Sequence, residues 1–170
     1  VLYAEIAALA NGGLSRYIAL SNGSNNERVQ IIYSSTANYI VMNVVSSNSV
    51  QAQFTVTVPQ TQYNKLAISY KANDVSFWLN GIKVHTDTNA TMPIGLNVLE
   101  FQRPNNTSSF FGKTKALAVW KEALSDQELA DLTYPTPTDP TFALDFDTIA
   151  TDFTFARGSE ATYVDAQGLI

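Results

Sequence analysis

The chain of 170 residues has no cysteine and a single histidine. Without thiols there can be no disulfide framework and no thiolate metal site, and the redox compartment leaves no trace in the sequence. His85 therefore has no cysteine nucleophile to serve, and it reads as an ordinary surface histidine. Charge is also scarce: Asp, Glu, Lys and Arg make up 15%, with 10 basic against 15 acidic residues and a net charge of -5. No basic stripe exists to meet phosphates, so nucleic acid is not an expected partner. No apolar run approaches the ~18–20 residues that span a bilayer and no signal peptide opens the chain, so no membrane partner is expected either. Val1 begins in mid-strand, and the chain is expected to be a fragment of something longer. Paired acids are missing too. A retaining glycosidase needs two carboxylates about 5–5.5 Å apart, yet no Glu-x-Asp-x-x-Glu run occurs. Glu5, Glu27, Glu100 and Glu122 stand singly, and Asp145 and Asp147 lie far downstream. Catalysis is not expected.

What is present is a β-protein. Hydrophobic residues make up 45% of the chain, enough for a sizeable core in one domain plus an appendage. Between Tyr63 and Thr86 three consecutive antiparallel strands can be assigned from the residues. Leu66, Ile68 and Tyr70 alternate with Lys65, Ala67, Ser69 and Lys71, the period-2 pattern of a strand with one buried face. Asn73-Asp74 turns the chain, Val75, Phe77 and Leu79 form the next apolar face, and Asn80-Gly81 suits a type I′ hairpin. That hairpin places Leu79 opposite Ile82, Phe77 opposite Val84 and Val75 opposite Thr86, with Trp78 beside Lys83 and Ser76 beside His85 on the outer face. Earlier strands are expected at Val1–Leu9, Arg16–Ser21, Glu27–Tyr33 and Tyr39–Val45. Alternation is clearest from Val50 to Val58, where Gln51, Gln53, Thr55 and Thr57 form a polar face that can be wet or can meet a polar ligand. Two more strands are expected near 97–102 and 112–122, the second with a bulge.

One helix is signalled at LSDQELADLT. Ser125 can cap the Glu128 amide while Glu128 reaches back, and Leu124 can staple onto Leu129. Three prolines from Tyr134 to Pro140 then forbid a regular ladder. The expected organisation is a domain over 1–133, a proline-rich linker over 134–141 and an extended β-rich tail over 142–170, the start of a further module.

The segments NKLAISYKANDVSFWLNG and FFGKTKALAVWKEALSDQELADLT resemble the concanavalin A-like, laminin-G-like jelly-roll family over nearly all of residues 1–133. The resemblance implies an all-β, two-sheet antiparallel jelly-roll sandwich with one short C-terminal helix. The tail sequence TFARGSEATYVDAQGLI resembles a segment of tailed-phage structural proteins, with Ala156 preceding Arg157 and a loose match over Gly158 to Thr162. Together the two imply a virion protein: a fibre, spike or head decoration that adheres to host surface glycans. A purely structural virion module without sugar binding, and a bacterial cell-surface or secreted carbohydrate-binding domain, stay open beside it. Other virion proteins are the expected partners, with homo-oligomerisation, as a trimer by analogy with fibres.

For ligand binding, Trp78 is the sharpest candidate, because sugars stack their C–H faces on exposed indole rings. The adjacent strand, the helix, the tail or a subunit could cover it instead, and Lys83 could stack on it as a cation–π partner. Trp120 reads as a core or helix-packing residue. Two amide-rich loops, carrying Asn22, Asn25 and Asn26 in one and Asn105 and Asn106 in the other, are the second candidate, although Asn and Ser also form ordinary turns. Lys113 and Lys115 read as a solvated strand edge that discourages edge-to-edge pairing. The metal question stays open: no cofactor is expected beyond a structural calcium ion, for which Asn73, Asp74 and Asp87 are the available oxygens.

Overall fold

The computed structural model describes residues 1–135, together with the backbone of 164–165 and 168–169. The chain divides into two units, Val1–Pro135 and Thr136–Ile170. Within the first, ten strands form: β1 (Leu2–Ala8), β2 (Arg16–Ser21), β3 (Arg28–Tyr33), β4 (Tyr39–Ser46), β5 (Ser49–Thr57), β6 (Asn64–Lys71), β7 (Asp74–Leu79), β8 (Ile82–Asp87), β9 (Val98–Glu100) and β10 (Gly112–Val119). They are followed by one helix, α1 (Asp126–Thr133). In the second unit, β11 (Val164–Asp165) and β12 (Gly168–Leu169) pair antiparallel. Most of the expected linker and tail, from residue 136 onward, lies outside the described residues.

The strands build two five-stranded antiparallel sheets, ordered β10-β1-β6-β7-β8 and β5-β4-β3-β2-β9. This is the two-sheet jelly-roll sandwich that the family resemblance implies. Turn chemistry sets the register. Ser47-Asn48 (φ 51 and 59) and Asn80-Gly81 (φ 49 and 86) each place two consecutive residues at positive φ, the requirement of a type I′ hairpin. A Cβ at position 81 would also lie 3.1 Å from the Tyr134 ring, a tight contact that the ring would have to shift to accommodate.

The core between the sheets is made by alternate residues of both. Leu2, Ile6, Leu66, Ile68 and Phe77 come from one sheet; Ile18, Ile31, Tyr33, Ile40 and Met42 come from the other. All are essentially solvent-free, and each such side chain contributes about 1.5–3 kcal/mol of hydrophobic stabilisation. The Tyr33 hydroxyl donates to the Ile6 carbonyl at 2.8 Å, so the ring crosses the core without stranding its polar end.

The β7–β8 register departs from the simple hairpin expectation. Leu79 faces Ile82 and Trp78 faces Lys83 as expected, but a bulge between Phe77 and Trp78 then places His85 opposite Phe77 and Thr86 opposite Ser76. One extra residue in a strand turns every later side chain to the other face. His85 thereby leaves the outer surface. It stacks on Phe54 of β5 at 4.8 Å between ring centroids with planes 7° apart, and on Phe77 at 6.0 Å, closing the side of the sandwich where the two edge strands β5 and β8 meet. A second irregularity, the one anticipated in β10, lies opposite Glu5 and Ile6 of β1.

Candidate functional site

A two-sheet sandwich has two outer faces, and this one treats them differently. On the β10-β1-β6-β7-β8 sheet the outer face is apolar. Tyr3, Ala67 and Trp78 form a second cluster with Leu129 of α1, joined by Trp120, Leu124 and Leu132. The helix is held there by the capping box: Ser125 Oγ accepts from Glu128 N at 3.3 Å, and Ser125 N donates to Glu128 Oε2 at 2.8 Å. Burial pushes the Tyr3 hydroxyl up to about 12, with nearby Glu5 adding to the effect.

This corrects the reading of Trp78 as an exposed sugar platform. Trp78 is only 4% exposed, and its indole N–H donates to Ser76 Oγ at 3.0 Å beneath the helix. The physical reason is that an outward-facing Trp among small neighbours leaves an apolar surface that α1, amphipathic and arriving directly after β10, covers. Lys83 is engaged in the same assembly, paired with Asp126 of the helix and lying 5.4 Å from the Trp78 ring centroid.

The other outer face is polar and, among the described residues, has no helix over it. Strand register lays its side chains in rows. Ser21, Arg28 and Val45 stand in one row, and Glu100, Ala19, Gln30, Asn43 and Gln53 in the next. Several of these polar groups are nonetheless shut off from bulk water: Ser21, Gln30, Asn43 and Arg28 are all less than a tenth exposed. Arg28 Nε donates to Gln30 Oε1 at 3.0 Å, Asn43 Nδ2 reaches Gln53 Oε1 at 3.5 Å, and Ser21 Oγ donates to Glu100 Oε2 at 3.2 Å. Burial, and then the positive charge of Arg103, hold the Arg28 guanidinium below its ordinary pKa.

The two amide-rich loops meet over this face. Arg103 Nε donates to Asn25 Oδ1 at 3.3 Å, and the Arg103 guanidinium lies 5.9 Å from the Tyr17 ring centroid. The other candidate amides serve their own turns. Asn22 Oδ1 accepts from Ser24 N at 3.0 Å, Asn26 N donates to Ser24 Oγ at 3.1 Å, Asn105 Oδ1 accepts from Thr107 Oγ1, and Asn106, at φ 61, accepts from Gln102 Nε2 at 2.8 Å. Glu27 pins the rim: its carboxylate accepts from Ser47 N at 2.7 Å and from Ile94 N at 3.1 Å, and these backbone bonds hold its pKa below the usual range. Among the described residues no group of three or more His, Cys, Asp or Glu could hold a metal ion. Asp87 Oδ1, one of the suggested calcium oxygens, accepts from Asn89 N at 2.8 Å.

Over residues 4–130 the sequence matches a family described as Laminin_G_3, of the concanavalin A-like lectin/glucanases superfamily. The chain belongs to this family. No curated protein sequence matches it. Among solved structures it is similar to the CBM40 module of Ruminococcus gnavus IT-sialidase bound to α2,3-sialyllactose, at TM-score 0.62 and 15% identity, covering 78% of this chain and 80% of that one. The same module bound to α2,6-sialyllactose gives TM-score 0.60 at 14% identity, covering 78% of this chain and 81% of that one. Leech intramolecular trans-sialidase gives TM-score 0.57 at 15% identity, covering 80% of this chain but 23% of the enzyme. At such identities these likenesses show the fold.

In this laminin-G-like module the residues that line the polar face were only partly legible beforehand. The Gln and Thr alternation of β5 marked the face; Arg28, Gln30 and Asn43 were missed. The available signal was polar residues at alternate positions inside otherwise apolar strands, in RVQII and VMNVV.

Proposed function

We propose that this protein is a non-enzymatic glycan-binding module whose site is the polar outer face of the β5-β4-β3-β2-β9 sheet. The observation that carries the reading is the row of buried polar side chains on β2, β3 and β4, above all Arg28, on a face that has no helix over it among the described residues. Burying amide and guanidinium groups without full compensation is costly, and such groups are retained where a polar ligand completes their bonding. Sialyllactose-bound modules of the same fold support a glycan as the ligand class.

A glycan-array screen of the 170-residue chain tests this, followed by amide chemical-shift mapping with any glycan that binds. Shifts centred on Ser21, Gln30 and Asn43 support the reading. Shifts centred on β6–β8 would move the site, and no binding by well-folded protein would favour a purely structural module.

The biological setting we propose is a tailed-phage virion, on which the module decorates the particle and assists adhesion to host surface glycans. Its support is the likeness of the segment TFARGSEATYVDAQGLI to phage structural proteins. Copurification with virions is the direct test.

A further inference from the structure

The floor of the polar face holds one donor and one acceptor that the described residues leave unanswered. Arg28 Nη1 and Asn43 Oδ1 are both buried and find no hydrogen-bond partner among the described residues. Their places on the sheet are related. Arg28 lies opposite Val45 and Gln30 lies opposite Asn43, so Arg28 and Asn43 are diagonal neighbours on one face of adjacent antiparallel strands, a relation that sets positions about 7–8 Å apart. Each side chain is held by its other polar atoms. Arg28 uses Nε on Gln30, and Asn43 directs Nδ2 toward Gln53, which leaves the guanidinium end and the amide oxygen as the open groups.

Arg28 has no ion-pair partner among the described residues. Among the described residues the ion pairs are Lys83–Asp126 and Lys115–Glu5, both on the opposite sheet. Glu100, the carboxylate on the polar face, sits on β9, two strands away from β3, and accepts from Ser21. The charge felt most strongly by Arg28 is another cation, Arg103, which is tethered to Asn25 rather than to an acid. A buried guanidinium without a counter-charge is unfavourable until an anion arrives, and guanidinium groups bond oxyanions through charge-assisted pairs.

Resting on the glycan-binding reading, we infer that the face takes an acidic sugar: a residue whose anionic group meets Arg28 and whose hydroxyl or amide N–H donates to Asn43 Oδ1. A neutral glycan would leave the Arg28 charge buried and unpaired. An anion lacking a donor would leave Asn43 Oδ1 unanswered.

Calorimetric titration of the 170-residue chain with 3′-sialyllactose, a glucuronic-acid oligosaccharide, a sulfated lactose and plain lactose, at fixed ionic strength, tests the inference. An acidic sugar should bind at least roughly tenfold tighter than lactose, the effect of one charge-assisted bond. Whether the carboxylated or the sulfated sugar leads tells which anion it is, and either supports the inference. Arg28→Gln should remove the preference. Asn43→Asp, of the same shape, supplies Arg28 with an internal counter-charge, and it should abolish acidic-sugar binding while circular dichroism shows the fold intact. Lactose binding as tightly as the acidic sugars, or Asn43→Asp binding like wild type, would overturn the acidic class and leave the glycan reading standing. Absence of binding to all four, with no hit on the wider array, would overturn both.

Discussion

The two outer faces of this sandwich start from the same strand chemistry and end in opposite states. Over β1, β6 and β7 the outward residues Tyr3, Ala67 and Trp78 are aromatic or small, and a capped helix lies on them. Over β2, β3 and β4 they are Arg, Gln, Asn and Ser, buried between loops with bonds left open. One face is completed by the protein itself, whereas the other keeps buried polar atoms without a partner among the described residues, as the proposed glycan site requires. On the proposed function, the difference is that between a face optimised for stability and a face that gives up stability for recognition.

The largest expected effect comes from emptying the apolar face. Trp78→Ala should lower unfolding stability by about 3–5 kcal/mol, seen as a shift of the urea midpoint, and should leave glycan affinity unchanged in the folded fraction. If affinity fell with stability unchanged, the assignment of roles to the two faces would be reversed. Next, Ser125→Ala removes the capping box that holds α1, at about 1 kcal/mol. Trp78 fluorescence should shift to longer wavelength as the helix loosens, and an unshifted spectrum would show that apolar contacts alone hold it.

On the polar face the expected sign changes. Arg28→Met removes a buried charge with an unanswered donor, so stability should stay level or rise by about 1 kcal/mol, in contrast to Trp78→Ala. A large loss on thermal melting would mean that Arg28 is a structural residue. The smallest effect is pH-dependent. The Glu27 pKa is depressed from 4.5 in the folded state, by the backbone bond from Ser47 first. Its contribution is therefore present above pH 4.5 and is lost as the pH falls through the lower folded value. Glu128, held low by the Ser125 bonds, follows the same sign on the other face. Denaturant midpoints measured between pH 7 and pH 3 should fall less steeply in Glu27→Gln than in wild type, and parallel curves would remove Glu27 from the account.

Much of the architecture was legible because β-structure writes a local code. The type I′ turn at Asn80-Gly81, the Ser125 capping box and the alternation in β5 each depend on residues a few positions apart, and each appears in the structure. The β7–β8 register was legible only as far as Lys83, because a bulge is decided by what packs on either side of it. His85 finds its place between Phe54 and Phe77, and Phe54 is distant in sequence. The same holds for Gln60, fully buried and bonding the carbonyls of Ser34, Thr36 and Tyr39 at 3.0, 3.1 and 2.7 Å. Nothing local marks it.

By itself the sequence determined the strands, their turns and the capped helix, since period-2 patterning, positive-φ turn residues and caps act over a few bonds. Only the tertiary structure decided which outer face is covered. Helix α1 lies over Trp78 rather than over Arg28 because it follows β10, an edge strand of the sheet that offers an apolar surface. That choice buried the residue that looked like a sugar platform and left Arg28 and Asn43, inconspicuous in their strands, with buried polar atoms unpaired among the described residues.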